Sequence, residues 1–216
     1  RFPKVKTWDQ LKDQLKALLT EKHDYKTLVI DTMDSLEQIA QYEVLKDQKG
    51  KTMATAFGGY GKAYEKMHDM FLEIRDSFLA PLRDEKGMQI VILCHSEKSK
   101  FEDPILALSY DTYSTALHKS IKHVFQDWVS AILFANYATV RAERSDGKEY
   151  AEGLDGERII FTEERPSHVG KNRFGLPYEM KFPKKGAWKV LKKHIDDYYG
   201  KPAEERVKID VTALQK

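Results

Sequence analysis

Residues 25–34, Tyr-Lys-Thr-Leu-Val-Ile-Asp-Thr-Met-Asp, constrain the fold of this chain more than any other segment. Residues 27–30 form a short apolar run that predicts a buried strand, and Asp31 follows where the chain turns towards a helix. Open α/β sheets bind their ligands at the carboxyl ends of their strands. Asp31 is therefore a candidate for organising a ligand or a metal ion, although many such strands end in an aspartate that is merely solvated.

Helices are predicted on both sides of this strand. Thr7 and Gln10 form a capping-box pattern that opens a helix ending near residue 23, and Ser35 opens a second helix that runs to about residue 46. Farther along, the sequence predicts a helix at 60–78, a buried strand at 88–94, a loop at 97–112, a helix at 113–129, strands at 131–140, 158–162 and 178–182, and a helix at 187–199.

This order of elements predicts an α/β fold. The early alternation of strand and helix indicates a mostly parallel sheet flanked by helices, and the closely spaced later strands indicate antiparallel strands added at one edge. We expect residues 1–183 to form one core, followed by a C-terminal helix and polar tail at 184–216. A length of 216 residues suits a single domain.

Composition points to a globular cytoplasmic protein. Charged residues make up 32% of the chain and no apolar run reaches about 18 residues, so no membrane span or membrane partner is expected. No signal peptide is recognisable, and the single cysteine, Cys94, suits a buried strand in a reducing compartment. The chain starts at Arg1 rather than at a methionine, so we expect residues to be missing upstream.

The net charge of +2 conceals a basic stretch near the C-terminus. Between Arg165 and Lys193 lysines and arginines predominate, and Glu179 is the only acidic residue. Such a stretch is either a solvated basic face or a surface that attracts the phosphates of a nucleotide or nucleic acid.

Four collinear stretches, spread over about residues 1–182, carry a family resemblance. They are Leu28-Val-Ile-Asp-Thr32, Gln89-Ile-Val-Ile-Leu-Cys-His95, the segment from Leu117 to Tyr137, and Gly170-Lys-Asn-Arg-Phe-Gly-Leu-Pro177. Together they resemble the RecA-like ATPases, in particular the phage-encoded recombinases of the Sak4 type, also called the AAA_24 group. The resemblance implies a RecA-like P-loop fold that binds ATP and Mg²⁺ between subunits of a ring or filament.

The resemblance implies a role for several residues. Asp31 would hold Mg²⁺ through water, with the Thr32 hydroxyl beside it, and His95 would sense the γ-phosphate at the end of the second strand. Lys171 and Arg173 match the basic pair that RecA-type subunits extend towards a neighbour's ATP, where a cation offsets charge on the transferred phosphoryl group. The structural alternatives are a histidine packed at a strand end and an ordinary basic hairpin.

The sequence departs from the family at the P-loop. RecA-like ATPases hold phosphates with Gly-x-x-x-x-Gly-Lys-Ser/Thr, which these 216 residues lack. The segment Gly58-Gly-Tyr-Gly-Lys62 follows a predicted helix rather than a strand and has the wrong spacing. We expect the P-loop and the water-activating glutamate to lie upstream of Arg1, and this chain alone not to hydrolyse ATP.

Two loops are candidates for contact with single-stranded DNA, because lysines suit phosphates and aromatic rings stack on bases. Their candidate residues are Lys49, Lys51, Phe57 and Tyr60 in the first loop, and Lys98, Lys100 and Phe101 in the second. Acidic neighbours, Glu97 and Glu102 among them, oppose DNA contact in the second loop.

The resemblance favours an ATP-dependent protein that acts on single-stranded DNA in recombination or strand annealing, with a phage single-strand-binding protein as a further possible partner. A DnaB-like helicase or a helicase loader shares the core and is the first alternative. A non-catalytic DNA- or protein-binding module on the same frame is the second. A hydrolase using Asp31, His95 and Ser96 is disfavoured, because no nucleophile-elbow pattern surrounds Ser96.

Overall fold

A computed structural model describes residues 2–105, 107–143 and 149–200. Contacts divide the chain into two compact units, Arg1–Lys98 with Ser114–Trp128 and Ser99–Tyr113 with Val129–Lys216. Both helices and strands are present, which confirms the α/β class.

The first unit begins with helices around a parallel strand pair. Its elements are α1 (Trp8–Thr20), β1 (Thr27–Asp31), α2 (Met33–Leu45), a 3-10 turn (Ala56–Gly58), α3 (Lys62–Ile74), a π-helical segment (Arg75–Leu79), α4 (Ala80–Asp84), β2 (Gln89–Leu93) and α5 (Lys119–Gln126). β1 and β2 pair in parallel, with Thr27 opposite Gln89 and Asp31 opposite Leu93.

The core of this unit is built from the apolar faces of the helices. Trp8 and Leu11 of α1 are buried at the spacing that the sequence predicts, and the Trp8 ring meets Phe71 of α3 edge to face at 5.1 Å. Phe71 is fully buried and also meets Phe125 of α5. Truncating a buried aromatic side chain of this kind costs about 3–5 kcal/mol, so this contact fixes α1, α3 and α5 against one another.

The boundaries of α2 and α3 differ from the predicted ones. α2 begins two residues before Ser35, because the Thr32 hydroxyl caps it by accepting from the Ser35 N–H. The predicted helix at 60–78 is α-helical only over Lys62–Ile74 and continues through the π-helical segment and α4.

The predicted loop at 97–112 is wrong, because the chain there forms a β-hairpin. β3 (Ser96–Asp103) pairs with β4 (Leu108–Thr115), and Asp103 accepts a hydrogen bond from the Ile105 N–H in the intervening turn. Because β4 runs to Thr115, the predicted helix at 113–129 is shortened to α5. His118 is the N-cap of α5, and its Nδ1 accepts a hydrogen bond from the Ser120 N–H.

The second unit is mainly antiparallel. It contains β5 (Ala131–Ile132), β6 (Phe134–Glu143), β7 (Glu149–Phe161), β8 (Lys171–Asn172), β9 (Glu179–Lys181) and α6 (Ala187–Gly200). β7 pairs with β6 and β9, and β5 pairs with β8. The predicted antiparallel strands are therefore present, but they form sheets separate from β1–β2. In the described chain β1–β2 is the only parallel strand pair.

None of the helices in the described part of the chain has both the length and the apolar character that crossing a membrane requires. The predicted polar tail after α6 lies outside the described residues.

Candidate functional site

Parallel pairing of β1 and β2 brings the carboxyl ends of both strands to one edge, which we call the β1–β2 edge. Asp31 is the last residue of β1 and lies opposite Leu93. Its carboxylate is exposed, and among the described residues it has no hydrogen-bonding or ionic partner. Because they are exposed and unpartnered among the described residues, the Asp31 oxygens are available to water or to a cation. The Asp31–Thr32 peptide is cis.

Thr32 is already engaged in the structure of the helix that follows. Its hydroxyl accepts from the Ser35 N–H at 3.4 Å and donates to Asp34 Oδ2 at 2.8 Å. The hydroxyl beside Asp31 therefore serves as the N-cap of α2, a role that the capping-box pattern placed at Ser35.

Asp34 and His95 join the two strand ends across 61 residues of sequence. Asp34 Oδ1 accepts from the His95 backbone N–H at 2.9 Å, and Asp34 Oδ2 lies 2.8 Å from His95 Nδ1. Burial raises the pKa of Asp34, but hydrogen bonds from the His95 backbone, the His95 ring and Thr32 outweigh it and hold that pKa below its ordinary value. Asp34 is thus an ionised acceptor at neutral pH.

The His95 backbone is fixed on both sides of the residue, while its ring reaches solvent. The His95 carbonyl accepts from the Ala116 N–H at 2.8 Å, just after β4, and 74% of its side chain is exposed. Nearby, Lys122 of α5 donates to Glu97 at 2.6 Å and to Ser114 at 3.2 Å. This lysine ties the first residues of β3 to the end of β4.

Cys94 precedes His95 and is not a nucleophile at neutral pH. Burial, with a smaller contribution from the Asp34 carboxylate, raises the pKa of its thiol to about 11. The sequence prediction of a buried strand thiol is close to what is seen, since the residue is half-buried just beyond β2.

Lys171 and Arg173 lie in the second unit, on a turn organised by the residue between them. The Asn172 amide donates to the Leu176 carbonyl at 2.7 Å and to Thr162 Oγ1 at 3.3 Å. Its oxygen accepts from the backbone N–H groups of Phe174, at 3.2 Å, and Leu176, at 3.0 Å. Lys171 is half-buried and Arg173 is exposed.

The first predicted DNA-contact loop combines exposed and packed residues. Lys49 and Lys51 are exposed, and 96% of Tyr60 is exposed. Phe57, by contrast, packs against the core of the first unit, with the Lys66 ammonium 4.8 Å from its ring centroid. Only Tyr60 therefore presents a ring to solvent from this loop.

The second predicted DNA-contact segment is the β3–β4 hairpin. Lys98 and Lys100 are exposed on β3, and Phe101, 45% exposed, lies 5.3 Å from the Tyr110 ring. Glu97, counted among the acidic residues that oppose phosphate, is paired with Lys122 instead.

The described residues fit a magnesium site better than a phosphate site. One exposed carboxylate at a strand end suits a hydrated Mg²⁺, which keeps most of its waters and binds through one or two carboxylates together with phosphates. In the described part of the chain no group of three or more His, Cys, Asp or Glu side chains could hold a metal by itself. The glycines at 58–61 precede α3 and follow a 3-10 turn, not a strand.

Sequence reasoning missed two positioning residues and one surface. Asp34 is held by His95, which lies 61 residues away, and Asn172 by Thr162 and by backbone groups up to four residues along the chain. The surface is a groove of about 560 Å³ beside β7 and β9, to which the basic stretch contributes Lys181 and Lys184. Its lining is Gly156, Glu157, Arg158, Lys181, Phe182, Pro183 and Lys184.

Comparison with known proteins gives one match. The family model AAA_24, described as an AAA domain, matches residues 1–174. A search of the curated proteins and a search of the solved structures each find no match.

Proposed function

We propose a specific function from the premise that this chain belongs to the AAA_24 family of AAA domains, which are P-loop-type, nucleotide-binding ATPases. The proposed function is that of a RecA-like ATPase of the phage Sak4 type. This ATPase binds ATP and Mg²⁺ between subunits of a ring or filament and acts on single-stranded DNA in recombination or strand annealing. A phage single-strand-binding protein is a further partner under this proposal.

One observation carries the proposal: the parallel pairing that brings the ends of β1 and β2 together. Asp31 is the last residue of β1, and His95 lies two residues beyond β2. The carboxyl ends of these two strands share one edge. This is where open α/β sheets bind ligands. Under the proposal Asp31 holds Mg²⁺ through water and His95 contacts the γ-phosphate.

The parallel pair also looks incomplete, which supports a contribution from residues outside this sequence. Parallel sheets are normally covered on both faces. Here 52% of Val29 and 43% of Leu93 are exposed, and within the described residues β1 and β2 pair only with each other. A strand–P-loop–helix unit added to this sheet would cover that surface and supply the phosphate-binding loop.

In the second unit, Lys171 and Arg173 are proposed to reach the nucleotide of a neighbouring subunit. The support is local: Asn172 holds the backbone on which both cations are carried, and Arg173 is exposed. A cation supplied in trans makes hydrolysis depend on assembly, since each site is complete only at an interface.

DNA contact is proposed for the two segments that carry exposed lysines and aromatic rings. Tyr60 with Lys49 and Lys51 forms one, and Phe101 with Lys98 and Lys100 forms the other. Stacking of a base on such a ring is worth about 1–3 kcal/mol and is insensitive to sequence. We therefore expect binding of single strands without base preference.

The test is ATP hydrolysis by the polypeptide expressed from its native start codon, with and without single-stranded DNA. We expect DNA-stimulated turnover that falls about 10³-fold or more in Lys171→Ala, as for loss of a cation supplied in trans. Lys189→Ala, in the same basic stretch, is the matched control and should keep its turnover. Absence of both turnover and nucleotide binding would contradict the proposal and leave a binding module.

A further inference from the structure

We infer that Asp34 is a positioning residue for His95. In the neutral ring it fixes the tautomer protonated on Nδ1 and leaves Nε2 at the β1–β2 edge as a hydrogen-bond acceptor. A neutral His95 then contacts a bound phosphate through a water molecule, and a protonated His95 donates to it directly from Nε2. The ligand in this inference rests on the proposed function, but the tautomer does not.

The tautomer follows from the donors and acceptors around Asp34. An ionised carboxylate can only accept hydrogen bonds. Asp34 Oδ2 lies 2.8 Å from His95 Nδ1, so Nδ1 must carry the proton. The lowered pKa of Asp34 is consistent with this, because it keeps the carboxylate ionised. In the neutral ring the other nitrogen, Nε2, then has a free lone pair.

The carboxylate of Asp34 binds His95 at two points and also accepts from the residue that caps α2. Thr32 caps α2, and its hydroxyl donates to the same Oδ2 that meets the ring. Asp34 Oδ1 receives the His95 backbone N–H at 2.9 Å. Because one carboxylate binds both the backbone and the ring of His95, it sets the position of the residue and the rotation of the ring together.

Little else restrains the ring. The His95 carbonyl accepts from Ala116, which fixes the backbone, but 74% of the side chain is exposed. The Asp34 side chain is only 17% exposed, so it anchors the ring from the protein side. Without this carboxylate the exposed imidazole would sample other rotamers and the other tautomer.

The tautomer decides what His95 can bind. Phosphate oxygens accept hydrogen bonds and cannot donate to a bare Nε2. A water can donate one proton to Nε2 and the other to a phosphate oxygen, and such bridges are nearly as favourable as direct hydrogen bonds. A neutral His95 would therefore contact the phosphate through a water, whereas a protonated ring would donate to it directly from Nε2.

The test reads the tautomer directly, by ¹⁵N NMR of the imidazole in the full chain without nucleotide. His95→Gln assigns the signals. At a pH where the ring is neutral, wild type should show Nδ1 protonated and Nε2 bare. Asp34→Asn should reverse this, because an asparagine can still accept from the His95 N–H while its amide donates to Nδ1. Wild type protonated on Nε2, or an Asp34→Asn spectrum like wild type, would overturn the inference.

Asp69→Asn is the matched control, since Asp69 lies 3.5 Å from the ring of His68 at an exposed site. It should leave the His95 signals unchanged. With ATP and single-stranded DNA, Asp34→Asn should lower turnover by about 10-fold or more, the usual effect of losing an orienting partner. If the protein has no turnover at all, the proposed function fails, while the NMR result still decides the tautomer.

Discussion

The β1–β2 edge and the turn at 170–177 both carry side chains proposed to meet phosphates, but they are organised in opposite ways. At the edge the functional ring itself is held, because Asp34 binds His95 at both backbone and side chain. In the turn the residue between the two cations is held, and Arg173 extends into solvent. At the edge both the backbone and the functional side chain are held in place, whereas in the turn only the backbone is held.

The difference follows from what each region would contact. A ring whose tautomer matters needs a partner on one of its nitrogens. A guanidinium is charged at any physiological pH and donates from every nitrogen. It therefore needs to be positioned, but no partner is needed to set its protonation state. Holding Asn172 while leaving Arg173 exposed therefore suits a cation that, under the proposed function, contacts another subunit.

The largest expected effect is on stability, in Asn172→Leu. The substitution keeps the approximate volume but removes four hydrogen bonds, and it leaves the polar groups of Thr162 and Leu176 without that partner. Unsatisfied groups of this kind cost about 1–3 kcal/mol each, so we expect a loss of about 3 kcal/mol in the free energy of unfolding. Urea denaturation measures it.

Two variants accompany this prediction. Asn172→Asp keeps the acceptor for the Phe174 and Leu176 N–H groups but sets a carboxylate oxygen against the Leu176 carbonyl, so it should also lose stability. Gln38→Leu, at an exposed glutamine of α2, is the control and should change the free energy of unfolding by about 0.5 kcal/mol or less. Equal stability of Asn172→Leu and wild type would mean that the turn is not organised by this amide, and the contrast with the edge would disappear.

The next effect concerns the edge and uses Cys94 as a reporter. A thiol pKa of about 11, against an ordinary 9.0, leaves about 100-fold less thiolate at pH 8. Alkylation by iodoacetamide should be slower than that of an unstructured peptide thiol by at least this factor. Because the Asp34 charge contributes to the shift, Asp34→Asn should accelerate the reaction. An unchanged rate in that variant would show that the carboxylate is not close to the thiol.

A smaller effect is the acid sensitivity that Asp34 gives the first unit. The folded-state pKa of Asp34 is below the ordinary 3.8, so its hydrogen bonds stabilise the protein above about pH 4, and this contribution is lost as pH falls through the folded pKa. We expect wild type to be more stable than Asp34→Asn at pH 6, with the difference shrinking below pH 4. Chemical denaturation across pH 3–7 measures this.

How far the sequence predicts these regions depends on how local their interactions are. The apolar runs at β1 and β2 and the cap at Thr7 are patterns within a few residues, and they placed Asp31, His95 and α1 correctly. Asp34 carries no local pattern that predicts its partner. Its actual partner is 61 residues away, and only the parallel pairing brings the two together.

The β3–β4 hairpin shows the other limit. Most residues of β3 are exposed, so the strand has no alternating apolar face, and Ser, Glu and Lys read as loop. The strand conformation of β3 comes from its pairing with β4 rather than from its own sequence pattern. The predicted helix at 113–129 was also too long. Its first residues belong to β4, which ends at Thr115, and α5 begins only at Lys119.

The smallest expected effect on stability, in Arg173→Ala, is also the one that tests the comparison best. Arg173 is exposed, and its backbone N–H, which bonds the Ser130 carbonyl at 3.1 Å, survives the substitution. We therefore expect the free energy of unfolding to change by about 0.5 kcal/mol or less. Under the proposed function, DNA-stimulated turnover should nevertheless collapse, because the cation supplied to the neighbour is gone. A clear loss of stability would show that Arg173 serves its own subunit. The turn would then resemble the edge, with its functional side chain held in place.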